Sequence, residues 1–115
     1  MNVIIWHNPR CAKSRKTLEL LRSRGIEPQI LEYLKTPPSR EELTEVVQML
    51  SMSPSELMRT SEKVYHELLL AERPLGDDEL IAAMVANPVL IERPVVIANG
   101  KAAVGRPPEA VLNIL

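Results

Sequence analysis

No phenylalanine occurs in this chain, and its aromatic residues are limited to Trp6, Tyr33 and Tyr65. A core built on aromatic stacking is therefore excluded, and Leu, Ile, Val and Met must carry the packing. Cysteine is nearly as scarce. A lone Cys11 rules out an internal disulfide and a structural zinc site of the four-cysteine kind, and an unpaired thiol fits a reducing compartment. Neither sign of charge is in excess: 14 basic residues face 15 acidic ones, for a formal net charge of -1. That balance argues against a dedicated nucleic-acid binder and requires any basic site to be local. No stretch approaches the roughly 18 apolar residues of a membrane span, and no charged leader precedes an apolar run. With the lone thiol, these absences point to the cytoplasm and away from membranes.

What is present fits one domain over residues 1–115, without repeats or a linker. Val3-Ile4-Ile5-Trp6 is short, apolar and β-branched, and predicts a buried strand that ends at Asn8-Pro9. Thr17, Leu18, Leu20 and Leu21 give an apolar stripe before Gly25, so residues 12–24 are expected to be helical. Residues 29–33 form a second candidate strand. Strand, helix and strand within about 30 residues suit a right-handed parallel crossover. Ser39 with Glu42 is a capping-box signal ahead of a helix over about 40–50. Ser53-Pro54 starts a short helix to about Arg59, another is expected near 62–71, and Asp77-Asp78 introduces a further one. These form a helical insertion at about 39–87. Val95–Ile97 and Ala102–Val104 flank Asn99-Gly100, the signature of a two-residue hairpin turn, and Pro107-Pro108 can start a last helix carrying Val111, Leu112 and Leu115. The order predicts an α/β fold with a four-stranded mixed sheet, as in thioredoxin-like proteins.

Cys11 falls in the turn between the first strand and the first helix, where unpaired amides and the helix dipole favour negative charge. Residues 10–24 hold six basic side chains against Glu19 alone. At an ordinary pKa near 8.5, only about 3% of a thiol is ionised at pH 7. Lowering the pKa by about two units takes about 2.7 kcal/mol, whereas a helix terminus supplies about 0.3 to 1 kcal/mol, so cations must add the rest. His7, at the end of the first strand, is one candidate when protonated. Ser14 stands where a Cys-x-x-Cys pair has its second thiol, so Cys11 needs an external thiol to resolve any adduct.

The segment His7-Asn8-Pro9-Arg10-Cys11-Ala12-Lys13-Ser14-Arg15 resembles the nucleophile loop of the glutaredoxin-coupled arsenate reductases. The likeness continues through Tyr33–Pro38, Leu57-Met58-Arg59, Glu92–Val96 and Gly105–Glu109. The resemblance implies that Cys11 attacks the arsenic of arsenate and that Arg59, Arg93 and Arg106 hold the oxyanion, a role suited to guanidinium forks. It implies that His7 helps ionise Cys11, that Ser14 bonds the thiolate or its adduct, and that Pro94 matches the cis proline that thioredoxin-like folds place beside the thiol. Glutathione and glutaredoxin would be the partners in arsenic detoxification, with no bound cofactor or metal, and a monomer is expected. The chain stops at Leu115, where the family's established arsenate reductases usually continue, so it looks most like a shorter branch. Two other readings stay open: a redox-sensitive regulatory module that binds RNA polymerase, which Ser14 disfavours by removing the dithiol switch, and a thiol reductase for another substrate.

Overall fold

The apolar run near the amino end forms β1 (Val3–Trp6) in the computed structural model, which describes residues 2–115. Around it lie α1 (Ala12–Ser23), β2 (Gln29–Leu31), β3 (Val95–Ala98) and β4 (Lys101–Val104). The sheet order is β2-β1-β3-β4, with β1 parallel to β2 and antiparallel to β3. Ile5 is the pivot of the register, opposite Ile30 on one side and Val96 on the other. This is the four-stranded mixed sheet of a thioredoxin-like α/β fold. Asn99 and Gly100 join β3 to β4 with positive φ of 56° and 71°, the backbone that a tight hairpin turn demands.

Two compact units make up the described chain. The first holds the sheet and α1, from residues up to Thr36 together with Arg93–Leu115. Its core joins Val3 and Ile5 of β1, Leu18 and Leu21 of α1, Val96 and Ala98 of β3, and Val111 and Ile114 near the carboxyl end. The second unit, Pro37–Glu92, contains α2 (Arg40–Met49), α3 (Pro54–Leu57), α4 (Lys63–Glu67) and α5 (Asp77–Ala86). There α5 packs on α2 and α3, burying Leu80, Ile81 and Met84 with Leu43, Val46, Val47 and Leu57. Ser39 caps α2 with the full reciprocal box, its hydroxyl accepting from the Glu42 N–H while the Glu42 carboxylate accepts from its own.

Several elements are shorter than their sequence signals. α3 stops at Leu57 because Met58 pairs with Ile91 in an antiparallel bridge and the Arg59 N–H donates to the Leu90 carbonyl. α4 ends where Leu69 takes a positive φ of 54°. β2 gives way to a turn in which the Lys35 and Thr36 amides both donate to the Glu32 carbonyl. The expected last helix is a 3₁₀ helix over Pro108–Ile114. Its three-residue period turns Val111 and Ile114 into the core in place of Leu112, although Leu115 still packs against the cluster.

Candidate functional site

β1 delivers His7 and Asn8 to the sheet end, and the chain must then reverse into α1. The Asn8 carboxamide accepts from the Arg10 N–H, the Asn8 carbonyl accepts from the Cys11 N–H, and Cys11 becomes the extended cap residue of α1. No acidic residue occupies the first turn of α1. The thiol therefore meets unopposed helix-terminal amides. Burial pushes the Cys11 thiol up, but the Ser14 N–H, the Arg93 guanidinium and the Lys13 N–H together outweigh it, and the pKa lies below its ordinary value. Arg106 approaches with Nη2 3.7 Å from Sγ, a long bond to sulfur, and its Nε donates to the Arg93 carbonyl at 2.9 Å. The Arg93–Pro94 bond is cis, as the resemblance implied, and so is Arg106–Pro107, which no sequence signal announced.

His7 and Ser14 are partners of each other. His7 is buried, 6% exposed, and that desolvation lowers its pKa; Glu32 pulls the other way, while Arg22 and Arg15 reinforce the lowering. A lowered pKa makes His7 a weaker source of positive charge for Cys11 than an exposed imidazole would be. Its Nδ1 lies 2.6 Å from the Ser14 hydroxyl, which also accepts the Asn8 N–H at 3.0 Å. The His7 Nδ1 and the Ser14 hydroxyl share one hydrogen bond, whose donor is set by the imidazole tautomer. The fully buried Ser14 side chain thus ties the end of β1 to α1, and it is the Ser14 backbone N–H that faces the sulfur.

Arg59 lies in the second unit and is 17% exposed there. Its Nε donates to Glu62 at 3.0 Å and its Nη1 to Glu92 at 2.7 Å. Burial works against the guanidinium charge, but the Glu62 and Glu92 carboxylates more than offset it. The pairing of Leu57–Arg59 with Leu90–Glu92 sets this clamp: the Arg59 N–H reaches Leu90, and the Glu92 N–H reaches Leu57 at 2.9 Å. Cys11, Arg93 and Arg106, by contrast, come together within the first unit. Sequence reasoning passed over Asn8, Glu62 and Glu92. Asn8-Pro9 carried a turn signal that could have marked the first; Glu62 stands three residues from Arg59, the spacing of a local ion pair that could have marked it too, and only Glu92 had no signal, since its approach to Arg59 depends on pairing far apart in sequence. Beside the loop opens a cavity of about 480 Å³ whose lining includes Pro9, Ala12, Arg15, Lys16, Glu19 and Arg22.

Residues 6–114 match the ArsC family. The chain is 54% identical over 114 residues to the protein YfgD of Escherichia coli (strain K12), described as uncharacterized, covering 98% of this chain and 96% of that one. It is 46% identical over 114 residues to an arsenate reductase of Escherichia coli, covering 99% of this chain but 81% of that enzyme. The solved structure of an arsenate reductase from Vibrio cholerae matches 100% of this chain and 98% of its own, at 52% identity and a TM-score of 0.97. The expected difference in length is thus found against the first arsenate reductase and not against the second.

Proposed function

Because this chain belongs to the ArsC family, we propose that it is a thiol-dependent arsenate reductase that converts arsenate to arsenite through an adduct on Cys11. The observation that carries this reading is the Cys11 sulfur held by the Ser14 and Lys13 amides, Arg93 and Arg106. The same donors suit a tetrahedral oxyanion, because they are fixed, charged or backbone N–H groups that need no reorganisation when the anion arrives. Thiolate attack forms a sulfur–arsenic bond and expels one oxygen as water after protonation. External thiols then supply both electrons: two thiols become one disulfide, arsenic(V) becomes arsenic(III), and the net loss is one water. Cys11 is regenerated, so it carries the arsenic without being consumed.

Glutathione and glutaredoxin are our choice of donor and partner, with the cytoplasm as the place and a monomer as the working species. The cavity beside the loop, where Arg15, Lys16 and Arg22 outnumber Glu19, suits the carboxylates of a peptide thiol. No helix among the described residues is long and apolar enough to cross a membrane. Arg59 is assigned to the oxyanion on the strength of the family resemblance, with Glu62 and Glu92 orienting it. The test is arsenate-dependent NADPH oxidation coupled through glutathione, glutaredoxin and glutathione reductase. Turnover by the natural chain and none by Cys11→Ser is the expected result; equal turnover by Cys11→Ser would overturn the mechanism.

A further inference from the structure

Four glycines occur in the chain, and Gly105 differs from the others in what surrounds it. Gly25 and Gly100 have positive φ and open space where a side chain would go. Gly105 has no positive φ, so any residue could adopt its backbone; what it lacks is room. A Cβ there would lie 2.5 Å from the Thr17 hydroxyl oxygen and 2.7 Å from Cγ of Pro94. Both neighbours are fixed. Thr17 is fully buried and donates to the Lys13 carbonyl at 2.8 Å, and Pro94 accepts the Gly105 N–H at 2.9 Å.

We propose that Gly105 is a positioning residue of the oxyanion site: the absence of its side chain lets the end of β4 close on Thr17 and Pro94, and this close approach brings Arg106 to the Cys11 sulfur. The inference rests on the reading of Cys11, Arg93 and Arg106 as one anion site. Two bonds stitch the segments together, Gly105 N–H to Pro94 and Arg106 Nε to Arg93. Gly105 thereby holds Arg106 in register with the Arg93 carbonyl. Its other neighbour, Thr17, is anchored to Lys13, whose amide faces the thiol. A methyl group at position 105 must push β4 off α1 or off Pro94, and either shift carries Arg106 away from the sulfur.

The test is Gly105→Ala, checked for a folded state by circular dichroism and read in two ways. Protection of Cys11 from iodoacetamide by arsenate should need at least tenfold more arsenate, and the thiol titration midpoint should move upward. In an Arg106→Ala background the same substitution should change arsenate protection less than twofold, because the group through which it acts is already gone. If the single variant does not fold, Thr17→Ala/Gly105→Ala removes the nearest clashing atom and takes the same measurements. Unchanged protection and an unchanged midpoint in a folded variant would overturn the proposal. So would a tenfold loss that persists without Arg106, or failure of both variants to fold, since each makes the glycine a requirement of the fold alone. The titration uses no arsenate, so a shifted midpoint with no arsenate protection in the natural chain would discard the substrate and leave the positioning role standing.

Discussion

At the scale of single residues, the sulfur of Cys11 is governed by its nearest donors, not by the net charge of the helix that follows it. Arg93 stands among the causes of its lowered pKa, while Arg106 makes a long contact of 3.7 Å. Arg93→Ala should therefore raise the midpoint of iodoacetamide labelling more than Arg106→Ala does, and a pH series on the two variants checks the order. The Ser14 N–H faces the sulfur, while its side chain bonds His7 and Asn8. Ser14→Ala leaves the His7 Nδ1 and the Asn8 N–H without their buried partner, and unsatisfied groups of this kind typically cost about 1 to 3 kcal/mol. Urea unfolding should show that loss. A pH dependence follows from the lowered pKa of His7. The unfolded chain takes up a proton near the ordinary value of about 6.5, while the folded chain resists it to lower pH, so the unfolded state binds more protons in that window. Stability present above about pH 6.5 is lost progressively as the pH falls towards the folded pKa, and the slope attributable to His7 should vanish in His7→Gln.

At the scale of elements, short helices need their ends secured, because isolated helices of this length are marginal in water. α2 shows how: Ser39 and Glu42 exchange two hydrogen bonds, and acidic residues occupy its first turn where the helix dipole favours them. Ser39→Ala should lower stability by about 0.5 to 2 kcal/mol, measured by chemical denaturation, with thiol reactivity unchanged. The capping box and the Asn99-Gly100 turn were legible in the sequence because each is local: the residues that make the bond lie two or three positions apart. The early end of α3 was not, since only the pairing of Met58 with Ile91 decides it. The same pairing sets Arg59 against Glu92. Glu92→Gln should weaken arsenate affinity, read as a rise in KM larger than the fall in kcat, if the clamp orients Arg59 for the anion.

At the scale of the whole molecule, one thiol in 115 residues fixes the economy of the reaction. No second cysteine can close a disulfide on Cys11, so electrons must come from outside. Turnover should stop when the external thiol is withheld, while adduct formation on Cys11 continues. Mass spectrometry after mixing with arsenate and glutathione should show an addition on Cys11 that glutaredoxin removes and that Cys11→Ser lacks.

The order of the elements, the two-residue hairpin, the caps and the position of Cys11 at a helix start follow from the amino-acid sequence alone. These depend on apolar periodicity, on turn chemistry and on contacts a few residues long. The sequence also pointed to Arg93 and Arg106, through resemblance over nearly the whole chain. Tertiary structure decided what these residues do. Burial lowered the pKa of His7, the meeting of β1 with α1 gave the Ser14 hydroxyl to His7 and Asn8 rather than to sulfur, and the pairing of Met58 with Ile91 set Glu92 against Arg59. It also turned Gly105 from an ordinary glycine into one without room for a methyl group. The reason is common to all four: protonation, hydrogen-bond choice and free space depend on neighbours brought together by folding, and no local pattern in the chain encodes them.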